Sequence, residues 1–135
     1  MFSPNTFKTV GLSLVLLAGA LVISSTVTAA EATPEFAIKA VSNGEIRAGV
    51  AAFKKGDYAR AAFFQQSALQ ASLSKSRKTA ALANLCAAEG AQGNLEAAAM
   101  ACDQALVLSP NSADALNNRE VVTYLTNKHT ARLAN

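Results

Sequence analysis

"TAALANLCAAEGAQGNLEAAAMACDQALVLSPNS", residues 79–112, decides the fold. Two alanine-rich runs flank the turn residues Gly93 and Asn94, and Pro110 closes the stretch. Alanine is the best helix former and is too small to fill a wide core. The pattern predicts two helices brought close together through small side chains and reversed by a tight turn. The whole chain fits this reading: 51% of its 135 residues are hydrophobic, yet 6% are aromatic and none is Trp. Its length leaves room for one domain.

The same pattern occurs once more upstream. Setting Gly56 over Gly93 pairs Asp57 with Asn94, Tyr58 with Leu95 and Ala61 with Ala98. It also pairs Ala68 with Ala105 and Leu69 with Leu106, all at an offset of 37 residues. Each pairing has a mechanical reason. Glycine adopts the left-handed conformation that ends a helix. Asp57 and Asn94 can accept from the free amides that start the next helix. Tyr58 and Leu95 cover the turn, Ala61 and Ala98 allow close helix approach, and the later pairs recur on the same face. Pro110 cannot continue a helix.

These residues resemble the tetratricopeptide repeat family, whose units are 34-residue helix–turn–helix hairpins. Residues 79–112 fill one unit without a gap, with Leu82, Leu85, Gly93, Leu95, Ala98, Ala105, Leu106 and Pro110 at motif positions. Residues 42–75 form a weaker unit carrying Gly49, Phe53, Gly56, Tyr58, Ala61, Ala68 and Leu69. Residues 113–126 supply the first helix of a third. The resemblance implies an all-α fold, a short α-solenoid of about two and a half repeats. A generic stack of helical hairpins is the plainer alternative. Helices are expected near residues 43–55, 58–72, 77–92, 95–108 and 113–126. "SNGE", residues 42–45, reads as a capping box, and "TPEF", residues 33–36, offers a short extra turn within 34–41. Arg119, Glu120 and Thr123 mark a solvated cap whose other face, with Leu116, Val122 and Leu125, seals the second unit. Glu89 stands where the family is usually apolar and needs a partner. The tail, residues 127–135, is expected to fray.

Residues 1–30 read as an export signal. Lys8 precedes an apolar run, residues 10–23, and a small, polar stretch ends in Thr28, Ala29 and Ala30. The run is shorter than the roughly 20 residues of a membrane span, so cleavage near Ala30 is expected, with an uncleaved anchor as the alternative. The organisation read from the sequence is thus a signal over 1–30, a linker over 31–41, repeats over 42–126 and a flexible tail. The mature chain would be periplasmic or secreted. Removing residues 1–30 takes away one cation and no carboxylate, leaving eleven basic against nine acidic residues and a net charge of +2. That balance does not argue for nucleic acid.

Cys86 and Cys102 are the only cysteines, seven residues before and nine after Gly93. In an antiparallel hairpin they lie at similar heights, where the family packs helix on helix. A disulfide is expected in an oxidising compartment; two buried free thiols are the alternative. No metal site is expected, since there is no C-x-x-C and the one histidine, His129, lies in the tail. No catalytic residue or cofactor site is legible either. What the resemblance implies is binding of a protein or peptide in a concave groove lined by first helices. By motif position these residues are Arg47, Val50, Phe53 and Lys54 in unit one, Asn84, Ala87 and Ala91 in unit two, and Asn118, Val121 and Tyr124 in unit three. The expected function is a non-catalytic interaction module of the cell envelope; a membrane-tethered accessory in assembly of an envelope complex is the alternative.

Overall fold

A computed structural model describes residues 32–135. The export-signal reading of residues 1–30 lies outside the described residues. Within them the fold is all-helical, with five helices: α1 (Gly44–Lys54), α2 (Tyr58–Leu69), α3 (Lys75–Ala91), α4 (Leu95–Leu108) and α5 (Ala113–Leu133). α1 pairs with α2 and α3 with α4, while α5 packs on both α3 and α4. The result is two hairpins and a capping helix stacked in series.

Both hairpin turns are built around a glycine. Among the described residues Gly56 and Gly93 are the glycines with positive φ, 79° and 84°. The Asp57 carboxylate accepts from the Arg60 amide at 3.1 Å and so caps α2. Asn94 makes no such cap. Its side-chain amide donates instead to Glu89 at 2.8 Å, and Gln66 donates to the same carboxylate at 3.4 Å. The partner of Glu89 is therefore a pair of amides at the solvent edge.

α3 is the central helix. It packs against α1, α2, α4 and α5 and buries residues on every side, among them Ala80, Ala81, Leu82, Ala83, Ala87 and Ala88. A helix apolar all round belongs inside a structure, and small residues let four neighbours reach it. Cys86 and Cys102 are disulfide-bonded, with Cα atoms 5.3 Å apart. Both are fully buried, in a cluster with Ala98, Ala101 and Val122.

Close approach also decides Gly49 on α1. A Cβ at that position would collide with the Gln65 side-chain amide and lie 3.2 Å from the Ala61 carbonyl oxygen. Gln65 is 1% exposed and donates to the Ile46 carbonyl at 3.2 Å. Helix propensity alone favours Ala over Gly by about 1 kcal/mol, whereas overpacking costs about 1–3 kcal/mol. Gly49→Ala is therefore expected to lower the unfolding free energy by about 1 kcal/mol or more, measured by urea denaturation. A stabilised variant would show that α1 and α2 can part at no cost.

Four local expectations are corrected. The N-cap of α1 is Asn43, not Ser42: its backbone is extended and its Oδ1 accepts from the Ile46 amide at 3.0 Å. Asn caps as well as Ser, and this places Glu45 in the first turn, where a carboxylate is favoured. Residues 34–41 contain no helical turn; asparagines on other helices hold the main chain at Glu35, Ala37 and Lys39 instead. Leu116 is 46% exposed; the face of α5 that seals the stack is Ala115, Asn118, Val121 and Val122. The last helix does not end at residue 126: α5 runs on to Leu133. Its last turns are exposed and held by their own ladder, with Arg132 favourable near the negative helix end. Arg119 is paired across the surface, to Asp103 at 2.7 Å.

Candidate functional site

The helices α1, α3 and α5 carry matching registers. Arg47, Asn84 and Asn118 are equivalent, at offsets of 37 and 34 residues. So are Val50, Ala87 and Val121, and so are Phe53, Gly90 and Tyr124. The middle row is buried: Val50 is 5% exposed, Ala87 0% and Val121 2%. These three are packing residues between helices. Arg47, Lys54 and Tyr124 are exposed, and Phe53 and Ala91 are half-buried. Phe53 packs with Tyr58, ring centroids 4.9 Å apart.

Asn84 and Asn118 are buried, at 2% and 0% exposure. A buried side-chain amide without partners is costly. Their partners come from the chain's own N-terminal segment. Asn118 accepts from the Ala37 amide at 2.7 Å and donates to the Ala37 carbonyl at 2.8 Å. Asn84 does the same for Lys39, accepting at 2.8 Å and donating at 2.9 Å. Asn117 donates to the Glu35 carbonyl at 2.9 Å, and Asn118 also donates to the Ala83 carbonyl of α3 at 3.0 Å.

This geometry is specific for extended backbone. The N–H and C=O of a single residue point to the same side in a strand, and that side recurs every second residue. Ala37 and Lys39 are two apart, and one asparagine from each of α5 and α3 takes both groups of one residue. A side-chain amide offers one acceptor and two donors, so the pairing is a two-point contact to main chain and reads no side chain.

Side-chain selection comes from Phe36. Its ring packs against the disulfide cluster and lies over Gly90, where a Cβ would collide with the ring. Gly90 is buried within α3. A mid-helix glycine costs about 1 kcal/mol against alanine; here its absent side chain makes the recess that holds the ring. We call residues 35–39 the strap.

Of the groove residues expected from the sequence, the structure therefore brings Asn84 and Asn118 together on one segment; Ala91 follows Gly90 on α3, and Tyr124 is exposed on α5. Arg47, one unit further along the same row, contacts no part of the strap by hydrogen bond among the described residues. Gly90, Asn117 and the strap itself were not anticipated. One signal for them was available: an asparagine at the same register of two units, beside an interior glycine, needs a packing or binding reason.

Among the described residues no group of three His, Cys, Asp or Glu side chains is placed to hold a metal ion. No described helix is long and apolar enough to cross a membrane. Compared with protein-family models, curated proteins and solved structures, the chain gives no match in any of the three.

Proposed function

We propose that this chain is a non-catalytic module of the tetratricopeptide repeat type that binds an extended peptide or protein segment in the groove along α1, α3 and α5. One observation carries the reading. Two buried asparagines, one repeat apart, hold the main chain of an extended segment, here residues 37 and 39 of the same chain. Extended-segment recognition works in this way generally: main-chain hydrogen bonds supply affinity and pockets for alternate side chains supply choice. The exposed Arg47 and Lys54 give the unit-one end a positive charge, suited to an acidic stretch of partner.

The buried disulfide fits an oxidising, exported environment. Together with the signal-like residues 1–30 it supports a periplasmic or secreted protein of the cell envelope, released by cleavage near Ala30. N-terminal sequencing of the native protein is expected to begin at Ala30 or Glu31. An intact N-terminus in the membrane fraction would instead favour the tethered assembly accessory.

Photo-cross-linking tests the site. A cross-linker placed at Tyr124 or Arg47 in the native envelope is expected to capture a protein partner, and one at Met100 on the outer face is not. Arg47→Glu should reduce capture at least several-fold and leave the melting temperature within about 2 °C, as surface substitutions are within about 0.5 kcal/mol. Capture from Met100 alone, or capture indifferent to Arg47→Glu, would place binding elsewhere.

A further inference from the structure

We propose that the strap is a built-in, exchangeable occupant of the groove. Its partner is then an extended segment of another protein, with an aromatic side chain one residue before the one held by Asn118. This rests on the peptide-binding reading above and adds to it the identity of the resident competitor and the feature it shares with the partner.

The strap has the properties of a ligand more than of a core element. Residues 32–35, 39 and 40 are exposed, and Phe36, Ala37 and Ile38 are only half-buried. Its hydrogen bonds to the helices come from three asparagine side chains, with no helical or sheet ladder. Segments with few buried contacts open at lower free energy than the global fold. The hinge is already defined. Val41 packs against the cluster of Ile46, Ala68 and Ala81, and Asn43 starts α1. Residues 32–40 can therefore swing away without breaking a helical hydrogen bond.

What the strap leaves behind determines what replaces it. Asn84 and Asn118 would lose main-chain partners that only another extended chain supplies in the same two-point form. The recess over Gly90 would lose an aromatic ring. The vacated site therefore selects an extended backbone with an aromatic residue in the register of Phe36. Because the strap is tethered, its effective concentration is on the order of millimolar. A partner must outcompete it, and the apparent affinity is reduced by the fraction of time the groove stands open.

The test uses the full exported chain and a fluorescent peptide of residues 33–41, TPEFAIKAV, read by fluorescence anisotropy. Phe36→Ala weakens the strap and is expected to raise the affinity for the peptide at least tenfold over the unsubstituted protein. The peptide TPEAAIKAV is expected to bind neither protein. Adding Gly90→Val to Phe36→Ala fills the recess and is expected to abolish binding. Equal affinity for both proteins, binding that survives Gly90→Val, or no binding to a folded Phe36→Ala chain overturns the proposal. So does a strap that opens only to pair with a second copy, seen as a concentration-dependent dimer by sedimentation without peptide binding. If Phe36→Ala does not fold, the unsubstituted protein is titrated to millimolar peptide while amide exchange at Ala37 and Lys39 is followed by NMR. Faster exchange supports displacement and unchanged exchange overturns it. Failure here with groove cross-linking intact leaves the binding reading standing and removes only the exchangeable strap; loss of groove cross-linking removes the binding reading itself.

Discussion

Replacing Cys86 and Cys102 together with alanine is expected to lower the melting temperature by about 12–24 °C. The bond spans a sequence separation of 16 residues, and closing a loop of that size is worth about 3 kcal/mol in the chain-entropy description. In a domain of this size each kcal/mol shifts the melting point by about 4–8 °C. The site adds to the effect, because both cysteines are fully buried between α3, α4 and α5. Two alanines would leave a void beside Ala98 and Val122, and such cavities carry their own penalty. The central helix would then be held to α4 by alanine contacts, which bury little area each, and by the leucines Leu82, Leu85, Leu95, Leu106 and Leu108. Calorimetry of the two proteins under non-reducing conditions checks this. A shift below about 5 °C would mean that side-chain packing holds α3 to α4 without the bond.

Asn118→Ala is expected to cost about 2–4 kcal/mol and to release the strap. Asn118 is fully buried and joins three elements: the strap at Ala37, α3 at the Ala83 carbonyl and its own neighbour Asn117. Truncation leaves the Ala83 carbonyl and both main-chain groups of Ala37 without these partners. A net loss of about 1 kcal/mol attends each ordinary hydrogen bond, and about 1–3 kcal/mol each buried group left unsatisfied. Water can reach the strap side and lessens the cost there, which keeps the total below a simple sum. Chemical denaturation measures the stability, and limited proteolysis within residues 32–41 reads release of the strap. Arg119→Ala on the same helix provides the contrast. It removes an ion pair with the exposed Asp103, worth below about 1 kcal/mol, and a hydrogen bond to Thr123 on the same helix, touches no strap residue, and is expected to leave the strap protected.

The helices were legible because local chemistry and tertiary packing agree. Gly56 and Gly93 take the left-handed conformation that the offset of 37 residues implied, and α4 spans residues 95–108 as its alanine run and Pro110 suggested. The cysteine pairing followed from the same antiparallel geometry. The local misses share a cause. At residues 42 and 43 two good caps stand side by side, and only tertiary placement of α1 chooses Asn43. At residues 127–133 the polar composition signals exposure correctly, but an exposed segment can remain helical when its neighbours already hold the ladder.

The groove was half legible. Registers at 34 and 37 residues marked Asn84 and Asn118 as equivalent, and the structure places both on one extended segment. The segment itself was not legible. Residues 32–41 have no helical period, and Pro34 after Thr33 suits a helix start as well as an extended strand. Their hydrogen-bonding partners lie 45 and 81 residues away in sequence. Conformation there is decided by side chains on α3 and α5, which local propensity cannot register.

Amide hydrogen exchange in the unsubstituted protein reads whether the strap opens on its own. If the strap is an exchangeable occupant, the amides of Ala37 and Lys39 exchange by local opening. They do so faster than the Cys86 and Ala88 amides of α3, at rates that depend little on low denaturant. Exchange of Ala37 and Lys39 at the same rate as the α3 amides, with the same denaturant dependence, would make the strap a permanent part of the core and contradict a groove open to a partner.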